Sequence, residues 1–435
     1  MTRIPLTGIF LGLTLGLGLA RADTAPRHLS FTEAIELALA QNPDAALAKE
    51  AIAGAEAHAA GQKARRLPTL HVDANGNLYA KPYTLLFGTE VFTLHKQVTS
   101  FTTVTISQPL TGLAYLSEII GAAEHDTAVK RDDYDRVRLD IAYRTADAYI
   151  RVLEARAIAE VARQNVADIQ SGVDRAAQLR QAEVYTDIDV LRFRSAKAAA
   201  DQQVLKTQSA TEQAMASFAL QLGLPDGTAL DIADDLPVAP PALAMDVATA
   251  QARALATRPE LRAARERVAV ATSSRDAAHW LYFPEIRAVG VYEHATGVQP
   301  FAPENEEFLG LRLSWNVWDW GNVKQQVTEA EHAQNRARLD ANALADQVRL
   351  EVRRRWLEAR TAFDSLDAAK TQQETAAEAY RLQKVRFDAA ASTATDVLDA
   401  ENDVAKARLV FAVARYDYYL ALVSLARAVG DVPKP

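Results

Sequence analysis

Cysteine is missing from all 435 positions of the chain. An exported protein of this kind has no disulfide framework, no thiolate nucleophile, and no thiol for a thioether-linked lipid anchor. Methionine is nearly as scarce: beyond Met1 only Met215 and Met245 occur, so a methionine-lined copper path is not indicated. The eight histidines, His58, His125, His279 and His332 among them, stand isolated and lack the spacing of a metal site. GxSxG, HExxH and Walker-type patterns do not occur. We therefore expect no enzymatic activity, no metal and no cofactor. The formal charge of −8 argues against nucleic acid as a partner. Beyond the N-terminus, no stretch reaches the roughly 18 consecutive apolar residues of a membrane-spanning helix. Glycine and proline are gathered in a few places and alanine is abundant, a composition that predicts long, closely packed helices.

The N-terminus reads as a secretory signal peptide over residues 1–22. Arg3 supplies the positive n-region, residues 4–19 the apolar segment, and Ala20-Arg21-Ala22 the small-x-small cleavage site. Loss of its two arginines takes the formal charge from −8 to about −10.

Past this segment the chain is written twice. "AIELALAQNPDAALA" from Ala34 answers to "AQARALATRPELRAA" from Ala250, so that Ala38, Leu39, Ala40 and Pro43 return as Ala254, Leu255, Ala256 and Pro259, each 216 residues on. Pro68 returns as Pro284 at the same offset. Later segments match at 207: "ISQPL" from Ile106 lies over "LSWNV" from Leu313, "TDIDVL" from Thr186 over "TATDVL" from Thr393, and Gly223 over Gly430. The offset changes by nine between Pro68 and Ile106, which marks a surface loop because packed elements resist insertion. The chain thus divides into a first repeat (23–224), a Pro-rich linker (225–243), a second repeat (244–430) and a short tail (431–435).

Each repeat shows one order of elements. A short helix opens at Ser30, where Ser30 and Glu33 make a capping box. A second helix over residues 44–66 ends before Pro68, and two strands come after it, over 69–79 and 102–108. In the second repeat the corresponding segments are 260–282, 285–294 and 309–317. Leu309, Leu311, Leu313 and Trp315 alternate with Gly310, Arg312 and Ser314, the period of a strand. Long heptad patterns come next. Ile141, Ala148, Ala155, Ala162, Ile169 and Ala176 interleave with Val152, Ala159, Val166 and Val173. A second seam runs through Leu398, Ala405, Ala412, Tyr419 and Ala426, with Leu409, Tyr416 and Val423 between. A helix of about 60 residues from Leu116 would span roughly 90 Å.

Four strands of about ten residues have the length and alternation of outer-membrane barrel strands, yet four cannot close a barrel, and open edges are not tolerated in lipid. Several subunits would have to share one barrel. Tyr282, Phe283, Trp315, Trp318 and Trp320 fall at the strand–helix junctions, where an interfacial aromatic belt would lie.

The repeated N-P-D and R-P-E helix starts, the "SQPL" and "WNVWDWG" turns, the "TDIDVL"/"TATDVLDA" pair and the closing "LG"/"VG" resemble the TolC family of outer-membrane efflux channels, over about residues 29–430. The resemblance implies a mainly α fold with a small β part: a homotrimer whose twelve-stranded β-barrel stands on a twelve-helix periplasmic tunnel. It also implies a passive duct docked to an inner-membrane pump through a periplasmic adaptor and embedded in outer-membrane lipid; the absence of cysteine, not the resemblance, argues against a lipid anchor. In that family acidic residues at the "DVLDA" position ring the narrowest point, which carries over to Asp396 and Asp399, with Asp189 as the first-repeat copy of Asp396; Arg192 stands where a second acid would be. The bland alternative is helix-start chemistry, with Asp396 in the first turn beside an N-cap threonine. A periplasmic coiled-coil adaptor or scaffold protein is the rival reading for the whole chain.

Overall fold

The structure, a computed structural model, describes residues 27–225, 227–237, 239–243, 245–298 and 302–434. The expected signal peptide over 1–22 lies outside these residues. In the first half the elements run β1 (Arg27–Leu29), α1 (Phe31–Gln41), α2 (Pro43–Ala64), β2 (Thr69–Leu78), β3 (Tyr83–Phe87), β4 (Glu90–His95), β5 (Val98–Pro109), α3 (Leu113–Gln181) and α4 (Asp187–Gln221). The second half runs β6 (Leu230–Ile232), α5 (Val247–Thr257), α6 (Pro259–Trp280), β7 (Glu285–Thr296), β8 (Asn305–Ser314), α7 (Asn322–Asp388) and α8 (Ala394–Val429).

The duplication holds to the residue at most element starts. Helices α1 and α2 lie 216 positions before α5 and α6, β2 lies 216 before β7, and β5 and α4 begin 207 before β8 and α8. Local chemistry explains the shared boundaries. Ser30 accepts the Glu33 N–H while the Glu33 carboxylate accepts the Ser30 N–H at 2.9 Å, the anticipated capping box, and proline occupies the first turn of both α2 and α6. One departure appears: the turn leading into α7 is two residues longer than its copy, and α7 is correspondingly 67 residues against 69 in α3. At 1.5 Å per residue each of these helices is about 100 Å long; α3 exceeds the expected length of about 60 residues because it starts at Leu113 and runs past Ala176 to Gln181.

The main sheet is antiparallel in the order β2-β5-β7-β8. Its register sets Leu70 beside Ile106, Ile106 beside Gly290 and Gly290 beside Leu309, and one row on sets Val72 beside Val104 and Val104 beside Tyr292. The opposite face carries Asp73, Thr103, Glu293 and Glu306 in another such row. One face is apolar and the other polar, yet in the single protomer every residue of β2 and β8 is exposed. Strand β5 starts four residues earlier than its sequence signal, and the extra loop length in the first repeat folds as a hairpin, β3 on β4, turning at Gly88 in the left-handed region (φ 69°).

The long helices pack as antiparallel pairs, α3 with α4 and α7 with α8, while α2 and α6 extend the pairing toward the sheet. By length and composition α8 is apolar enough to cross a membrane; it packs here against α3 and α7. A core near the middle gathers Phe31, Ile141, Tyr149, Ile150, Phe218 and Leu222, with Phe31 and Tyr149 edge to face at 5.4 Å. Strand β6, within the Pro-rich linker, pairs in parallel with β1 and places Ile232 and Leu29 against this core. The Tyr149 hydroxyl donates to Ala233 O at 2.6 Å, tying the ribbon down. Arg258, with its side chain only 7% exposed, bridges Glu260 (2.9 Å) and Glu351 (2.5 Å), joining α6 to α7.

Candidate functional site

Where α3 turns into α4, and α7 into α8, the two hairpins end together at one tip. The turns are copies of one another: Glu183 and Ala390 take left-handed φ values of 60° and 56°, 207 residues apart. Neither is glycine, so each turn carries local backbone strain that its hydrogen bonds offset. Capping boxes then start the return helices. Asp189 accepts from the Thr186 N–H at 3.0 Å and from its hydroxyl at 2.7 Å; Asp396 accepts from the Thr393 N–H at 3.1 Å.

The carboxyls of Asp396 and Asp189 are both held below the usual aspartate range, chiefly because threonine hydroxyl and N–H groups donate to them. They therefore stay ionised near neutral pH. Asp399 lies one turn further along α8 and is exposed to solvent. The structure thus brings Asp189, Asp396 and Asp399 to the same end of the molecule and gives two of them a helix-start role as well.

Cross-links between the two hairpins were not legible in the sequence. The Tyr185 hydroxyl donates to Ser392 O, and Arg192, the residue in place of a second acid, donates to Thr395 Oγ1. Arg175 reaches Asp388 O, and Lys384 Nζ donates to Ser171 Oγ at 3.2 Å. Beneath them Val190, Phe193, Tyr380, Phe387, Val397 and Val404 form a compact apolar cluster drawn, with Ala176 and Leu179, from all four long helices. Here the expected α8 seam is rotated. Leu398 and Ala405 are half-buried and Leu409 is exposed, while Val397, Glu401, Val404 and Ala407 are buried. A straight helix drifts about 20° per heptad against a strict seven-residue repeat, enough to turn the next stripe inward near the tip. Higher up, Tyr416, Tyr419 and Val423 of the expected seam are buried as anticipated.

At the far end of the helices, the five expected belt aromatics cluster at the strand–helix junctions and all are exposed, Trp320 at 89%. Trp315 Nε1 donates to Tyr282 O at 3.1 Å, and the Trp318 and Trp320 rings meet edge to face at 5.6 Å. Phe283 meets the Trp280 ring at 5.2 Å, so these aromatics pair locally at the surface. An open cleft of about 770 Å³ lies beside them, walled by Arg65, Tyr115, Trp280, Phe283 and Trp315. His125 pairs with Glu266 at 2.7 Å between α3 and α6. Among the described residues no group of three or more His, Asp or Glu side chains could hold a metal ion.

Comparison with known proteins places this geometry. The family model described as "Outer membrane efflux protein" matches residues 34–224 and 251–431. The chain is 23% identical over 320 residues to the outer membrane efflux protein BepC of Brucella suis, covering 72% of this chain and 68% of that one. Toluene efflux pump outer membrane protein TtgF of Pseudomonas putida is 25% identical over 344 residues, covering 76% and 68%. Among solved structures, the outer membrane protein VceC of Vibrio cholerae superposes with a TM-score of 0.77 at 16% identity, covering 92% of this chain and 96% of that one.

Proposed function

Since the chain belongs to the outer membrane efflux protein family, we propose that it is the outer-membrane channel of a tripartite export system: a passive trimeric duct from periplasm to exterior, with an acidic ring at its periplasmic entrance. The observation that carries this reading is the four-stranded sheet. Its two outer strands, β2 and β8, keep unpaired edges, and one face presents Leu70, Ile106, Leu309 and Leu311 while the other presents Asp73, Thr103, Glu293 and Glu306. A sheet so built is stable in lipid only when its edges are paired and its polar face lines water. Three copies, β2 of one joining β8 of the next, supply twelve strands and close the barrel. The same symmetry sets the paired long helices side by side as a tunnel.

The exposed aromatics Tyr282, Phe283, Trp315, Trp318 and Trp320 then lie at the periplasmic interface of the outer membrane, between barrel and tunnel. The tip carries Asp189, Asp396 and Asp399 from each subunit. Their charges favour cations at the entrance and resist leak of anions. A duct of this kind needs an energised partner, which in a tripartite system is an inner-membrane pump reached through a periplasmic adaptor. A soluble periplasmic scaffold would gain nothing from an apolar sheet face, which disfavours the rival reading.

Fractionation tests the proposal. The full-length protein should sediment with outer membranes, require detergent for release, and run on native mass measurement as a trimer. Release as a soluble monomer by osmotic shock would refute it.

A further inference from the structure

One acidic side chain at the tip has no part in the entrance ring or the helix caps. Glu401 lies on α8 between Val397 and Val404, inside the apolar cluster of the four long helices. It is 1% exposed, and among the described residues neither carboxylate oxygen has a hydrogen-bond partner. It borders a cavity of about 10 Å³ between Gly172, Phe387 and Val397, room for a single water at most.

The charged and titratable groups facing Glu401 come from three helices: Asp168 and Arg175 on α3, Tyr380, Lys384 and Asp388 on α7, and Arg408 on α8. α4 contributes the apolar Val190 and Phe193 to the cluster. None of the nearby cations bonds to it: Arg408 pairs with Asp168 at 2.7 Å, Arg175 lies 3.6 Å from the Asp388 carboxylate with its Nε–H unbonded among the described residues, and Lys384 donates to the neutral Ser171 hydroxyl at 3.2 Å. Glu401 is left without a counter-ion in an apolar site, and a carboxylate there is stable only in its neutral form. Burial, reinforced by the Asp168 charge, pushes its pKa up to about 8, with Lys384 and Arg408 pulling weakly the other way.

We propose that Glu401 is a proton-operated latch of the periplasmic tip: protonated, it holds α3, α4, α7 and α8 in the closed packing, and loss of its proton to water opens them. This inference rests on the duct reading and adds a means of regulation to it. Its sign comes from linkage. The closed tip binds a proton that an opened, hydrated tip releases near the ordinary value of 4.5. Between that value and about 8, closure therefore weakens up to tenfold for each unit that pH rises. Below the interval both states are protonated and above it both are ionised, so the dependence flattens at each end. Ionisation draws the carboxylate toward Lys384 and Arg408, which in the closed packing bond to Ser171 and Asp168 on α3 instead.

The test uses full-length trimers in planar bilayers, with pH varied on the tip side from about 5 to about 9. Wild-type open probability should rise at least tenfold across the interval between 4.5 and about 8. Glu401→Gln, an uncharged match in shape, should stay closed throughout. Infrared difference spectra should show, at neutral pH, a protonated carboxyl band that titrates in the wild type and is lost in Glu401→Gln. Equal pH responses in wild type and variant, or no such band at neutral pH, overturn the latch. Arg192→Ala, which loosens the tip by another route, separates the two readings. If it conducts while the wild-type response is flat, the latch alone fails; if no variant conducts at any pH, the duct reading fails with it.

Discussion

Thr393 and Asp396 cap one another: the Thr393 N–H donates to Asp396 Oδ2 at 3.1 Å, and the Asp396 N–H donates to Thr393 Oγ1 at 3.2 Å. This reciprocal bond serves the helix start and the proposed entrance together. A donor-rich cap holds the Asp396 carboxyl below its ordinary 3.8, and the same holds for Asp189 at the Thr186 cap. Because these values are lowered on folding, the stabilisation is fully present above the ordinary value and is lost only as pH falls through the lowered one. The negative tip should accordingly survive mild acid. Replacing Asp396 and Asp399 with Asn removes up to six charges per proposed trimer, and the Asn amide oxygen can still accept the cap bond. We expect reversal-potential measurements to show cation selectivity falling severalfold, block by divalent and trivalent cations to fall with it, and trimer yield to stay unchanged. Asp364→Asn, on an exposed part of α7 some 24 residues from the tip, should leave selectivity alone. Unaltered selectivity in the double variant would reduce both residues to helix-start acids.

Strands β2 and β8 form the two edges of the sheet and should meet across subunits. The absence of native cysteine makes this easy to read. Single-cysteine pairs, one in residues 70–76 and one in 307–313, should give disulfide-linked trimers on oxidation at matching register, and cysteines on β5 should not. Cross-linking confined to dimers at every register would contradict closure by three copies.

Gly172 on α3 faces the ring of Phe193: a Cβ added there would lie 2.5 Å from Phe193 Cε1. Phe193 is fully buried and packs on Phe387 at 5.5 Å, so its ring has little room to yield. Gly172→Ala gains about 1 kcal/mol in helix propensity but should lose about 1–3 kcal/mol to overpacking. The tip should loosen, seen as faster tryptic cleavage at Arg180 and Arg386, and Phe193→Leu in the same chain should slow it again. Equal cleavage rates in all three proteins would show that the ring moves aside freely.

The β3–β4 hairpin turns at Gly88, with Leu86 and Phe87 exposed beside it. The proposed barrel's orientation sets this hairpin outside the cell. An epitope inserted after Gly88 should bind antibody on intact cells, and labelling seen only after the outer membrane is opened would invert the topology.

The sequence by itself determined the duplication, the order of the helices and of the four long strands, and the bounds of α2, α6 and β2 to within two residues; it placed β8 over 309–317 where the strand is Asn305–Ser314, and it did not show β1, β3, β4 or β6. Period, prolines and caps are local signals, and Ser30–Glu33, Pro43 and Pro259 act where the sequence places them. The β3–β4 hairpin also had a local signal, β-branched and aromatic residues on both sides of Gly88, obscured by its lying within an insertion. Other features depended on which surfaces meet. Whether Leu398 or Val397 faces inward is set by helices α3 and α4, some 200 residues away in sequence, together with the preceding helix α7. Pairing of β1 with β6, some 200 residues apart, and the Tyr185–Ser392 and Arg192–Thr395 links arise only once the two halves are side by side. Glu401 is the clearest case. In the sequence it is one of several acids in the first turns of α8; only the packing of four helices strips it of water and turns Arg408 and Lys384 to other partners, and desolvation cannot be read from a residue's own neighbours in the chain.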